Sequence, residues 1–283
     1  MSDDAPPPRR PLPLQLKLGL AITGTIVLLA LLAPWITPHP WDTISIRTRF
    51  LPPNSTYWFG TDEFGRDVLS RLLMGGRLSL AMGVTATLVS LAVGVPMGLA
   101  AGYFRGWVDE TLMRIADVLM AIPAIMLGLL VLAVTPPSLW KTALAVGFVY
   151  IPPIARLARS VTLALAGEEF VQAAHARAES TSYILFREIL PNAWPPLIVE
   201  ASLRVTYAIL LGSALSFLGL GAQPPSSDWG LMIAEARSFL DRAPWIALAP
   251  GFALCLLVIG INMLGDGARE RLDPRMSARV GKA

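Results

Sequence analysis

Charge is scarce in this chain. Only 15% of its 283 residues are Asp, Glu, Lys or Arg, against about 25% in a typical soluble domain, and that shortfall excludes a surface wholly exposed to water. Cysteine is almost absent: Cys255 stands alone inside an apolar run. No disulfide framework and no cysteine-based metal site can be built from it. Only two histidines occur, His39 and His175, far apart in the chain. Neither H-E-x-x-H nor G-x-S-x-G is present, and there is no G-x-x-x-x-G-K-[ST] loop to cradle nucleotide phosphates. These absences argue against an enzyme and against any cofactor bound by this chain.

Apolar residues are abundant. They make up 54% of the sequence, the mean hydropathy is +0.58, and they gather into runs near the length of about 20 residues that crosses a bilayer core. We therefore expect an all-α polytopic membrane protein in contact with lipid, with about six spans at 18–36, 80–104, 115–134, 139–158, 197–218 and 245–264. Residues 1–15 are Pro-rich and polar, and Arg9, Arg10 and Lys17 precede an apolar run longer than a signal-peptide core with no A-x-A site after it. That run reads as an uncleaved first span. Pro96, Pro123, Pro152, Pro153 and Pro250 fall inside spans. Membrane helices tolerate such prolines by bending, with neighbours satisfying the freed carbonyls.

The net charge of +3 with a pI near 9.3 points to basic cytoplasmic loops rather than to a nucleic-acid partner. With the N-terminus inside, cytoplasmic segments hold 14 Lys and Arg and the opposite side 8, which predicts both termini in the cytoplasm of a bacterial inner-membrane protein. Two loops exceed plain connectors. In residues 37–78, Val68, Leu69, Leu72 and Leu73 alternate with Arg66, Arg71 and Arg77, a spacing suited to a helix lying at the outer interface. Residues 159–194 read as a cytoplasmic helical loop interrupted by Pro191.

Ionisable residues within spans draw attention, because burying charge in hydrocarbon is costly. Glu200 and Arg204 are spaced i, i+4 and share a helix face. Arg204 falls about 12 Å into the fifth span by helix rise. The pair reads as a relay or as a structural ion pair, and one pair alone favours the structural role. Asp117 lies beside Arg114 near the start of the third span, and Asp266 reads as the end of the last one.

The cytoplasmic loop runs Glu169, Phe170, Val171, Gln172, Ala173, Ala174, His175, Ala176, Arg177, Ala178 and later Ile189, Leu190, Pro191, Asn192. This is a helix, a short break, and a second helix ended by proline. Ala173, Ala174 and Ala178 leave a small-residue face. Such a helix suits docking into a groove of a soluble partner, or it is an ordinary surface helix.

At this point the chain resembles a family. The loop is similar to the EAA motif of ABC importer permeases, whose coupling helix docks on the ATPase subunits. Three further stretches resemble the second permease of the dipeptide/oligopeptide/nickel branch: residues 59–71 (FGTDEFGRDVLSR), 217–225 (FLGLGAQPP) with Asp228, Trp229 and Gly230, and 262–269 (NMLGDGAR) with Leu272, Asp273, Pro274 and Arg275. Four motifs in the right order cover all but the first dozen residues. Two positions depart from the pattern: Gln172 stands where glutamate is usual, and Ala178 where glycine is usual.

The resemblance implies a type I ABC importer permease fold. It divides the chain into a cytoplasmic tail 1–17, a first span 18–36, an extracytoplasmic loop 37–78, a permease core 79–266 and a cytoplasmic tail 267–283. It implies a second homologous permease, two P-loop ATPase subunits carrying ATP and Mg, and an extracytoplasmic binding protein that delivers peptides or similar small solutes. Glu169, Gln172, Ala173, Ala174, His175, Ala178, Leu190 and Pro191 would couple to the ATPases. Ser202, Thr206, Ser213 and Ser216 are candidates for the pathway wall or for close helix packing. An ion-coupled secondary transporter is the alternative, but it would need paired ion sites that the sequence does not display.

Overall fold

The computed structural model describes residues 13–134 and 136–272. Residues 1–12, Thr135 and 273–283 lie outside the description, and with them Arg9, Arg10 and the Asp273-Pro274-Arg275 motif. Among the described residues, five helices are long and apolar enough to cross a bilayer, and six spans result if one bent pair counts as a single crossing. This matches the expected all-α polytopic architecture.

Helix α1 (Leu14–Ile36) is apolar throughout and buries only Gly19, Ala30 and Ala33. Leu14, Leu18, Leu20, Leu28, Leu31 and Trp35 are exposed and free to meet lipid or partner helices. Small residues let it lie close against the last helix, α10 (Trp245–Leu272): a Cβ on Gly19 would fall 2.6 Å from the backbone nitrogen of Leu264.

Helix α2 (Val68–Phe104) runs unbroken for 37 residues, about 55 Å at the helical rise. Residues 67–80 are therefore no separate helix on the membrane surface. They form the first turns of α2, with Asp67 capping its N-terminus by accepting from the Ser70 backbone nitrogen at 3.0 Å. The expected wet face is also corrected, since Arg66 and Arg71 are buried while Arg77 is exposed.

The span expected at 115–134, with Pro123 inside it, is not merely bent but broken in two. Helix α3 (Gly106–Ala121) and helix α4 (Ala124–Leu132) meet at 93° across Ile122 and Pro123. Proline excludes its predecessor from helical geometry, and Ile122 is extended at φ −89°, ψ 128°. Helix α5 (Leu139–Leu165) absorbs Pro152 and Pro153 without a break and packs along the length of α2.

Helix α6 (Glu169–Ala176) and the single turn α7 (Thr181–Tyr183) follow. A π-helical turn, Ile184–Ile189, then leads directly into α8 (Leu190–Phe217). Pro191 was expected to stop the second helix, and it does not. In the widened turn Leu190 donates to the Leu185 carbonyl five residues back, which spares the chain a collision between the proline ring and an α-helical carbonyl. A short helix, α9 (Trp229–Ala236), precedes α10.

Helices α2, α5 and α10 run from the α9 end of the bundle to the α6 end, and α8 runs back. One buried cluster joins α2, α5 and α8 to α6 at the α6 end. A second joins α2 and α8 to α9 and α10 at the other.

Candidate functional site

Helix α6 has two faces of different character. Val171 and Ala174 are fully buried, in one cluster with Leu99 of α2, Ile154 and Ala158 of α5, and Ile184, Ile189 and Ala193 beyond the turn. Glu169, Gln172, Ala173 and Ala176 are exposed, and their spacing places them on one outward stripe. The structure thus separates the two alanines treated together in the sequence. Ala173 is available to a partner, whereas Ala174 is a core residue and cannot dock.

His175 stacks on Tyr103 of α2, with centroids 6.1 Å apart and planes at 14°. Arg177 reaches Glu188 at 3.1 Å and so ties the break after α6 to the start of the next helix. Leu190 is half-buried and Pro191 exposed. The Gln172 amide donates to the Gly167 carbonyl at 2.9 Å, a bond that a glutamate carboxylate could not donate. Ala178 occupies left-handed backbone, φ +57°. The turn geometry that glycine favours is kept here by an alanine, at a cost near 1 kcal/mol. Ala178→Gly should raise the thermal midpoint of the detergent-solubilised protein by a few degrees without altering the loop; a lowered midpoint would show that the strain is relieved elsewhere.

The four hydroxyl residues of α8 point inward. Thr206, Ser213 and Ser216 are buried, and Ser202 donates to the Val199 carbonyl at 2.7 Å while facing Gly265 of α10. A Cβ on Gly230 would sit 2.4 Å from the Ser213 carbonyl oxygen, so α8 and α9 approach closely at this position. The opposite stripe of α8 is the open one: Tyr207 is 49% and Leu210 44% exposed. Glu200 and Arg204 lie along this open side, and Arg204 Nε donates to Glu200 Oε1 at 2.7 Å. With α8 beginning at Leu190, Arg204 sits about 20 Å from either end of the helix.

An open cleft of about 780 Å³ lies between α3 and α5, lined by Asp109, Asp117, Arg156 and Arg159 among others. Its charges are matched: Arg159 pairs with Asp109, and Arg156 with Asp117.

The largest polar feature was missed by sequence reasoning. At the α9 end, Arg71 is fully buried and donates to Asp62 Oδ2 at 2.6 Å, Glu235 Oε2 at 2.8 Å and the Ser226 carbonyl at 3.2 Å. Arg66 Nε donates to the same Asp62 oxygen at 2.6 Å. Asp62 Oδ1 accepts the Phe64 and Arg66 backbone nitrogens, which folds residues 62–66 into a tight turn. Gly65 completes that turn at φ +76°, where a Cβ would strike the Ser45 carbonyl at 1.9 Å. Asp228 caps α9, accepts from Ser79 of α2 at 2.9 Å, and has its pKa raised by burial. Burial likewise raises Glu63. Trp229 donates its indole N–H to the Leu72 carbonyl at 2.8 Å. Residues 59–71 and 226–235, distant in sequence, therefore form one buried ionic knot. The prior signals were the density of Asp, Glu and Arg within 62–71 and the motif stretches 59–71 and 228–230, none of which names a partner across the chain.

These features define a polytopic helical membrane protein with a small helix anchored to its spans at one end. Residues 94–278 match the family model described as binding-protein-dependent transport system inner membrane component, and residues 17–53 match the N-terminal TM domain of oligopeptide transport permease C. The chain belongs to the binding-protein-dependent transport system inner membrane component family.

Among its relatives, the dipeptide transport system permease protein DppC of Alkalihalophilus pseudofirmus is 42% identical over 92% of this chain and 86% of that protein. The glutathione transport system permease protein GsiD of Pectobacterium atrosepticum is 43% identical over 80% of this chain and 75% of its own. The di/tripeptide transport system permease protein DppC of Pseudomonas aeruginosa is 38% identical over 91% and 87%. An inward-facing structure of the MetNI methionine ABC transporter superposes with a TM-score of 0.61 at 19% identity, covering 72% of this chain and 97% of the other. That likeness gives the type I importer permease fold.

Proposed function

We propose that this chain is one of two permease subunits of an ATP-driven importer for short peptides or similar small solutes. Two separate ATPase subunits, carrying ATP and Mg, would dock on α6, and a binding protein would deliver solute at the α9 end. One observation carries this reading: the inward face of α6 belongs to the same core cluster as α2, α5 and α8, while its outward stripe is small, polar and free. A push on that stripe moves the spans with it, because a close-packed interior transmits displacement rather than absorbing it. Glu169, Gln172 and Ala173 would make the contact. His175, Ala178, Leu190 and Pro191 would hold its geometry, and Ser202, Thr206, Ser213 and Ser216 would serve helix packing.

Counted along the sequence, the segments assigned to the cytoplasm hold 14 Lys and Arg against 8 on the other side, which supports both termini in the cytoplasm. Two measurements test the proposal. Purified in mild detergent from a cell expressing the full set, the tagged chain should bring down a second permease and ATPase subunits, yet bind no nucleotide by itself. Isolation without any ATPase, or nucleotide binding by the chain alone, would refute the reading. For orientation, Cys255→Ser with single cysteines at Ser55 or Thr181 should let an impermeant thiol reagent label the first and spare the second in spheroplasts. The reverse pattern inverts the topology.

A further inference from the structure

Charges in the middle of a bilayer-spanning helix are costly unless fully compensated, and the Glu200–Arg204 pair is compensated only in part. Both bonds from Arg204, through Nε and through one terminal nitrogen, go to the same carboxylate oxygen, Glu200 Oε1. Glu200 Oε2 and Arg204 Nη1 make no hydrogen bond within the described chain. Each side chain is 18% exposed, on the stripe of α8 that Tyr150 of α5 covers only in part. Two aromatic rings frame the guanidinium: its carbon lies 5.4 Å from the centroid of Tyr150 and 5.6 Å from that of Tyr207. Tyr150 is held in place by donating to the Tyr207 carbonyl at 3.3 Å.

A purely structural pair would be closed over by the chain's own side chains. This one presents a free carboxylate oxygen and a free guanidinium edge side by side, near the midpoint of α8, between two rings. We propose that Glu200, Arg204, Tyr150 and Tyr207 form a solute-recognition station in the translocation pathway, and that it selects small zwitterions. Arg204 would take the solute carboxylate, since a planar guanidinium grips that group with paired bonds. Glu200 would take the ammonium, and the rings would flank the intervening backbone. The proposal rests on the importer reading above and names the solute chemistry for it.

The exposed pair joins Asp117 of α3 to Arg156 of α5, and Arg156 lies six residues beyond Tyr150, about 9 Å along the helix. The pair offers the next matched charges toward the α6 end, in the lining of the cleft between α3 and α5.

The test uses the complete importer in proteoliposomes, with dialanine, trialanine and glutathione as probes and their N-acetylated or C-amidated forms as competitors. Wild type should accumulate at least one of the three, and neither blocked form should compete once the binding protein is saturated. Arg204→Lys keeps the positive charge and the partner Glu200 but loses the planar grip. It should assemble normally, keep binding-protein-stimulated ATP hydrolysis within twofold of wild type, and lose at least tenfold in uptake rate; Glu200→Gln should behave alike. Wild-type uptake by both variants would overturn the proposal. So would a parallel loss of assembly and ATP hydrolysis in both, which marks a structural pair or one covered by the second permease. Absence of uptake for all three zwitterions would overturn it as well. Failure of the importer reading itself shows separately, as ATPase subunits that do not co-purify with the wild-type chain.

Discussion

Arg71→Ala should destabilise the chain by about 3–5 kcal/mol, the usual consequence of removing one partner from a buried charge pair. Arg71 is fully enclosed, and its guanidinium is shared between Asp62, Glu235 and the Ser226 carbonyl. Its loss leaves Glu235 with only the 3.3 Å contact from Arg66, and leaves Asp62 with one guanidinium in place of two. Since whole domains are held by about 5–15 kcal/mol, the variant should accumulate poorly in the membrane and unfold well below wild type. Arg71→Lys should recover little, because one ammonium cannot span three acceptors set in different directions. Arg77→Ala is the control: Arg77 lies on the same helix but is exposed and forms no ion pair within the described residues, so its loss should shift stability by about 0.5 kcal/mol or less. Thermal unfolding followed by retention of a tagged chain in solution after heating measures all three. Equal behaviour of Arg71→Ala and Arg77→Ala would mean that the knot contributes nothing to holding residues 59–67 onto α2 and α9.

The spans were legible because the bilayer imposes a length that apolar runs reveal directly, and Pro123 was legible as a site of bending. What escaped depended on partners far away in the chain. Residues 66–77 show apolar and basic positions in alternation, which by itself describes a helix on a membrane surface. Only the burial of Arg71 against Glu235, 164 residues later, turns those turns into the rooted start of α2. Pro191 misled for a local reason, since a π turn is not encoded by any residue that also forbids an α turn. Helix α9 left only Asp228 as a capping signal, on a helix of eight residues. The hydroxyl stripe of α8 and its charged stripe were both visible as periodicity, but periodicity does not say which stripe faces the bundle. The glycines of α10 and α9, Gly265 and Gly230, decide that by allowing close approach on the Ser202 and Ser213 side.

The same limit applies to the two alanines of α6, and it yields the sharpest functional contrast. Ala173→Arg should leave a folded, inserted chain that no longer holds its ATPase subunits. Ala173 is exposed beside Gln172 and Ala176, so a guanidinium there meets only an incoming surface. A steric and electrostatic clash of about 3 kcal/mol lowers an association constant by roughly a hundredfold. Ala174→Arg should fail earlier and differently. Ala174 has no exposed surface and packs among Val171, Ile184 and Ile189, where a charged side chain is both too large and unpaired. That variant should be degraded or aggregate rather than uncouple, and Ser55→Arg, at the opposite end on an exposed loop, should change neither property. Co-purification of the ATPase subunits, together with protease resistance of the inserted chain, separates the outcomes. If Ala173→Arg keeps stoichiometric ATPase and normal uptake, the outward stripe of α6 is not the coupling surface. If Ala174→Arg folds as wild type while losing the ATPase, the inward and outward faces of α6 have been assigned the wrong way round.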